Sequence, residues 1–200
     1  MTQPDPGMTM VEHFKRLAEA AKQVAEQLGP DIDTYAEWAL ATLQAGGRLF
    51  FCGNGGSATT AEHIATEYLV RLRRERVPLP AIALTSGTGM ITASANDFGF
   101  DQVFVRPLIA LGRSGDLLIL HSTSGESSNL LAAARAASEV PIRTVALVGD
   151  SGGPLCDLVD HSIRVPARDT ATIQELHLAI EHVVADYVDA SFASEEDEAC

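Results

Sequence analysis

Five short apolar runs, at 48–52, 81–84, 117–121, 143–148 and 161–165, alternate along the chain with stretches whose apolar residues recur at helical spacing. Strand-helix-strand order repeated in this way points to parallel strands, which need a crossover between neighbours that a helix supplies. The pattern predicts the α/β class: a three-layer, doubly wound parallel sheet with helices on both faces. Helical spacing marks 58–73, 89–96, 102–111, 129–138 and 171–192. Two extra N-terminal helices, 10–28 and 32–45, precede the first strand, with Gly29-Pro30 ending one and Gly46-Gly47 ending the other. With 46% hydrophobic residues in 200, one domain is expected over 10–192, its helices 10–46 leading an α/β core at 48–192. The Pro- and Gly-containing segment 1–9 and the acidic tail 193–200 read as flexible ends.

Two hydroxyl-and-glycine runs sit where a strand gives way to a helix: Gly53-Asn54-Gly55-Gly56-Ser57 and Ser122-Thr123-Ser124-Gly125-Glu126-Ser127-Ser128. A helix start leaves backbone N–H groups unpaired, its dipole favours negative charge, and glycine lets a phosphate approach the main chain. One such run is as readily an ordinary turn. Two are expected to converge on one rim, because ligands of open parallel sheets sit beyond the carboxyl ends of the strands. A phosphorylated small molecule is the expected ligand.

The formal net charge of −13 opposes binding to a phosphate backbone, so nucleic acid is not expected as a partner. The dense basic run Arg71-Leu72-Arg73-Arg74-Glu75-Arg76 reads as a solvated helix end, where cations suit the dipole. Cys52, Cys156 and Cys200 are widely spaced and no signal-like segment opens the chain, which predicts a reducing, cytoplasmic setting. No apolar run approaches 18 residues, so no membrane span is expected. Cys52, at the end of an apolar strand, reads as a packed small hydrophobe.

His63 and Glu67 stand at i and i+4 on the helix that follows the first loop, sharing a face on which a nitrogen and a carboxylate can clamp a metal such as zinc. A surface hydrogen bond is the competing reading. The last helix adds Gln174, Glu175, His177, Glu181, His182 and Asp186 among Ile173, Leu176, Ile180, Val183 and Val184. Gln174 and His182 lie eight positions apart, about 12 Å along a helix axis. They share one metal only if it sits midway or if one comes from another subunit. Spacing alone favours His177, at i+3 from Gln174.

The motifs CGNGGSATTAEHIATE, LPAIALT, ITASANDFGFDQVF, LGRSGD, STSGESSN and RDTATIQELHLAIEH, in this order from about Leu49 to Phe192, resemble the sugar isomerase (SIS) domain and, within it, the phosphoheptose isomerases. The resemblance implies a flavodoxin-like SIS fold and conversion of sedoheptulose 7-phosphate to glycero-manno-heptose 7-phosphate through an enediol or enediolate. It implies substrate contacts from Asn54, Gly55, Gly56 and Ser57 in the first loop and phosphate contacts from Ser122, Thr123, Ser124 and Ser127 in the second. Asn96 and Asp97 match a substrate-contacting pair, and Arg71 a basic residue near the site. The implied zinc ligands are His63, Glu67, Gln174 and His182, of which Glu67, Gln174 and His182 also lie beside the substrate. Glu67 is then the base and His182 the acid, and His177 becomes a packing residue. A homotetramer with active sites shared between subunits is also implied.

Two positions depart from the family pattern: Glu126 puts an anion into the second loop, and His121 replaces an apolar strand residue, as a core imidazole or a titratable neighbour of the phosphate. Two other classes fit less well. DiaA-like relatives of this fold bind a replication initiator without catalysis, but by resemblance they lack the last histidine and carry a bulky basic residue where Ser124 stands. A nucleotide-dependent oxidoreductase wants an acidic residue ending its second strand, where this chain has Thr85-Ser86.

Overall fold

The structure is a computed structural model and describes residues 9–193. The expectations for 1–8 and 194–200 lie outside the described residues. Helices α1 (Met10–Gln27) and α2 (Gly29–Gln44) lead into β1 (Leu49–Gly53), α3 (Gly56–Leu69), β2 (Ala81–Ala83), α4 (Thr88–Phe98) and α5 (Val105–Leu111). Then follow β3 (Leu117–Ser122), α6 (Ser128–Glu139), β4 (Arg143–Val148), β5 (His161–Arg164) and α7 (Thr170–Phe192). The five strands are all parallel, in the order β2-β1-β3-β4-β5. Strand order reverses between β1 and β3, and such a switch point opens a crevice beyond the carboxyl ends of the two strands.

Strand alternation sorts the core. Leu49, Phe51, Leu117, Ile119, Val145 and Leu147 face a layer built from α1, α2, α3 and α7. Their neighbours Phe50, Cys52, Leu118, Leu120, Ala146 and Val148 face α5 and α6. Residues two apart share a face, and the parallel register Leu49↔Leu117↔Arg143 keeps the alternation in phase across the three central strands. Cys52 is fully buried, and burial pushes its thiol pKa up, as befits a packed small hydrophobe.

Several boundaries differ from the sequence expectation. Thr9, expected in the flexible end, caps α1 through a capping box with Glu12. Gly29-Pro30 opens α2 as well as closing α1, because a proline in the first helical turn gives up an N–H that has no partner there anyway. The helix expected over 102–111 is a 3-10 turn at Phe100–Gln102 followed by α5.

The basic run is not a solvated helix end. α3 stops at Leu69, before the run begins, and Arg76 is buried. Its guanidinium donates to the carbonyls of Glu67 at 2.6 Å and Tyr68 at 2.8 Å and to Asp189 Oδ1 at 2.6 Å. The Glu67 carbonyl at the end of α3 therefore finds a partner in a side chain folded back from the next segment, and the Tyr68 carbonyl is shared between that side chain and the Leu79 N–H at 3.0 Å. No helix among the described residues is long and apolar enough to cross a membrane.

Candidate active site

The first loop turns sharply out of β1: a Cβ on Gly53 would stand 2.7 Å from Ser57, so this corner needs glycine. Gly55 precedes α3 at φ +56° and offers no side-chain cap to it. Ser127 precedes α6, again without a side-chain cap. By contrast α1 and α7 cap themselves, through Thr9 and through Asp169, whose carboxylate accepts the Thr172 N–H at 2.9 Å. The Ser57 and Ala58 amides already bond the Asn54 and Gly55 carbonyls and the Leu130 amide the Ser127 carbonyl, each at 3.0 Å. The amides ahead of them, nearer the tips of the two loops, are the ones left to serve another acceptor.

The loops meet. Asn54 Nδ2 donates to Asn129 Oδ1, and Asn129 Nδ2 donates back to Asn54 Oδ1, both at 2.9 Å. This reciprocal pair joins the first loop to the first turn of α6 across the β1/β3 switch point. Ser57 and Ser122 are buried at the base, Thr123 and Ser127 are half-buried, and Ser124 is exposed. The Ser122 hydroxyl accepts the Gly125 N–H at 2.9 Å and the Ser124 hydroxyl accepts the Glu126 N–H at 3.2 Å. Glu126 is exposed. Asn129 was missed by sequence reasoning, since nothing in the sequence says which asparagine two residues into a helix will meet another loop.

Along the seam between α3 and α7 the polar groups pair in sequence. A Cβ on Gly56 would collide with the Gln174 amide, so this glycine gives Gln174 room over the first loop. Two turns on, His63 Nε2 lies 2.9 Å from His182 Nε2 and 3.4 Å from Glu67 Oε1. The three ligand atoms of His63, Glu67 and His182 fall within 4.8 Å of one another. Two imidazole nitrogens and one carboxylate oxygen pointing at a common spot suit a borderline-soft divalent cation, and the residues present fit a metal. Gln174 stands on the same seam with its amide against Gly56.

The remaining predicted residues stand outside this seam. Arg71 is exposed and paired with Glu75 at 2.6 Å. Asn96 and Asp97 are exposed on α4, where Asn96 Nδ2 donates to Asp97 Oδ1 at 2.8 Å.

Beneath the seam lies a buried polar group. Glu181 accepts from the Tyr35 hydroxyl at 2.8 Å, and His121 Nε2 stands 2.7 Å from its other oxygen. All three are fully buried, so His121 is a core imidazole. Desolvation, with the Glu181 charge added, raises the Tyr35 pKa well above the usual phenol range, which keeps its hydroxyl a donor. His177 is also buried, with a backbone contact at Val148 that partly supports its charged form. Burial first, and the neighbouring His121 second, bring the His177 pKa down to about 3. His177 is a neutral core residue, and spacing alone was a poor guide to it.

Known proteins share this arrangement of chain. The SIS domain family profile matches residues 12–149. A phosphoheptose isomerase of Roseiflexus sp. is 43% identical over 197 residues, covering 98% of this chain and 100% of the relative. The solved structure of a phosphoheptose isomerase from Francisella tularensis superposes with a TM-score of 0.87 at 37% identity, over 92% of this chain and 100% of the other. Phosphoheptose isomerase GmhA from Neisseria gonorrhoeae gives 0.84 at 38% identity, over 90% and 96%. On near-complete coverage by sequence and by fold, the chain belongs to the phosphoheptose isomerase family of SIS-domain proteins.

Proposed function

We propose that this protein is an aldose-ketose isomerase that converts sedoheptulose 7-phosphate to D-glycero-D-manno-heptose 7-phosphate, in the cytoplasm, for nucleotide-activated heptose synthesis. The observation that carries the reading is the Asn54–Asn129 amide pair, which unites two amide-rich helix starts at one switch point in a chain that resembles phosphoheptose isomerases over nearly its whole length.

Asn54, Gly55, Gly56 and Ser57 bind the sugar phosphate, and Ser122, Thr123, Ser124 and Ser127 hold its phosphate. Glu67 takes a proton from C1 of the ketose, and that proton is returned at C2 of the enediol. His182 handles the oxygens, so that O1 loses a proton as the aldehyde forms and O2 gains one. Arg71, Asn96, Asp97 and Gln174 orient the open chain. His63, Glu67 and His182, with Gln174, would hold zinc. Such a cation supplies charge stabilisation for the oxygen that becomes negative in the enediolate.

Eleven residues, about 16 Å of helix axis, separate Gly56 from Glu67. A seven-carbon chain with its phosphate ester, met by the Glu67 side chain, spans about this distance, and the homotetramer with shared active sites rests on the resemblance to phosphoheptose isomerases.

Incubation with a panel of ketose phosphates, followed by NMR, tests the reaction. Sedoheptulose 7-phosphate should be isomerised, and Glu67→Gln and His182→Ala should each lose roughly 10²- to 10⁴-fold in turnover with folding intact. Mixing Glu67→Gln with Ser124→Ala protein should restore part of the activity if sites are shared. Binding of a replication initiator without turnover on any sugar would favour the scaffold reading instead.

A further inference from the structure

The segment 149–155, which leaves β4 and enters the 3-10 turn Pro154–Asp157, is moulded against the second loop residue by residue. A Cβ on Gly149 would stand 2.7 Å from the Thr123 carbonyl oxygen. One on Gly153, where φ is +66°, would stand 2.5 Å from the Ser124 carbonyl oxygen. The Leu155 N–H donates to the Gly125 carbonyl at 3.1 Å. Three successive carbonyls of the second loop thus face the same neighbour.

In a trans peptide the next N–H points opposite to the carbonyl. The amides of Ser124, Gly125 and Glu126 are therefore turned away from 149–155. Those of Gly125 and Glu126 reach the hydroxyls of Ser122 and Ser124. Successive amides held on one side of a bend form an anion-binding concavity, and an anion there would take the Gly125 and Glu126 N–H groups in place of these two hydroxyls. The backing segment is itself anchored: the Asp150 N–H donates to the Ala167 carbonyl at 2.9 Å, Arg164 to the Asp150 carbonyl at 2.6 Å, and Arg168 to Asp150 Oδ2 at 2.8 Å.

We infer that 149–155 is a positioning element for the isomerase reaction, with Gly149 and Gly153 setting the direction of the second-loop amides. The inference rests on the reading of 122–127 as the phosphate-holding loop. No residue of 149–155 need touch the substrate.

The test compares Gly153→Ala and Gly149→Ala with Gly115→Ala. Gly115 has φ +90° and open space around it, so alanine there adds backbone strain far from the second loop. Gly149 has no positive φ, so its variant adds contacts without that strain, to Ile173 Cδ1 at 2.6 Å and the Ala167 carbonyl at 3.2 Å as well as to Thr123, and it carries the test should Gly153→Ala not fold. Calorimetric titration with inorganic phosphate should show Gly153→Ala and Gly149→Ala weakened by about 10- to 100-fold, with KM for the sugar phosphate raised and kcat nearly unchanged. Gly115→Ala should lose melting temperature but keep phosphate affinity and KM. Folded glycine variants that bind phosphate as the wild type does, while Ser124→Ala weakens binding, would overturn the inference alone. Unchanged binding in Ser122→Ala and Ser124→Ala would overturn the loop reading and the inference with it.

Discussion

The two faces of the sheet are packed by different chemistry. On the α5/α6 face, Phe50, Cys52, Leu118, Leu120, Ala146 and Val148 meet Leu108, Leu130, Ala133, Ala134 and Ala137. On the other face the same strands meet an apolar layer that also contains buried His121, His177, Glu181 and Asp189, with Arg76 folded in beside them. The His63, Glu67 and His182 cluster lies at the edge of that second face, on two of its helices. One face supplies burial. The other supplies burial and holds in place the seam that carries the proposed proton transfers.

The contrast predicts that removing one partner of a buried ion pair on the seam face will cost the most. Burial pushes the Asp189 carboxyl pKa up, but the Arg74 and Arg73 amides and the Arg76 guanidinium outweigh it and hold it below the usual carboxylate range. Asp189→Ala should therefore destabilise by about 3–5 kcal/mol, because Arg76 is left as a buried, unpaired charge. Turnover should fall too, since Arg76 also holds the Glu67 carbonyl. The pair Arg76→Met with Asp189→Leu removes the unpaired charge but also the donors to the Glu67 and Tyr68 carbonyls and the acceptor of the Arg73 and Arg74 amides, so it should recover only part of the stability. Urea unfolding of the three proteins checks this. A folded carboxyl pKa below its unfolded value adds stability above the unfolded value, and that stability drains away as pH falls below about 4. The acid limb of the stability curve should therefore shrink in Asp189→Asn.

A single apolar deletion on the opposite face should cost somewhat less and leave chemistry alone. Leu118 is fully buried between β1 and β4 and faces α6. Leu118→Ala should lose about 3 kcal/mol through lost transfer energy and a residual cavity. KM and kcat should stay near wild type at temperatures where the variant is folded. A large loss of kcat in folded Leu118→Ala would break the division of labour between the faces.

The apolar face was the more legible in sequence. Strand alternation and helical spacing depend on neighbours a few positions away, so the strands, most of the helices and the two phosphate-loop candidates could be read from local pattern. The seam depended on partners far along the chain. Arg76 meets Asp189, 113 positions on, so a run of arginines that looked like solvated surface hid a buried cap. Tyr35, His121 and Glu181 come from α2, β3 and α7, and no periodicity distinguishes a glutamate in an apolar stripe that finds two donors from one that does not. His63 and Glu67 were legible as a pair because i and i+4 share a helix face; the arrival of His182 beside them was implied only by resemblance.

The smallest expected effect also belongs to the seam face, and it separates burial of an imidazole from service at the site. His177 has a folded pKa of about 3 against an ordinary value of 6.5, so the unfolded chain takes up a proton between these values while the folded protein does not. Stability attributable to His177 is then fully present above pH 6.5 and lost as pH falls towards 3. Between pH 6.5 and 5, before most carboxylates titrate, the loss should be about 1.5–2 kcal/mol. In His177→Leu this slope should flatten, because the side chain no longer takes up a proton in either state. Unfolding free energies measured at half-unit pH steps for both proteins give the comparison directly. An unchanged slope in the variant would mean that the proton uptake comes from elsewhere on the seam. A flattened slope with kcat/KM retained would place His177 among the packing residues, one turn of α7 from Gln174 yet apart from the proton transfers.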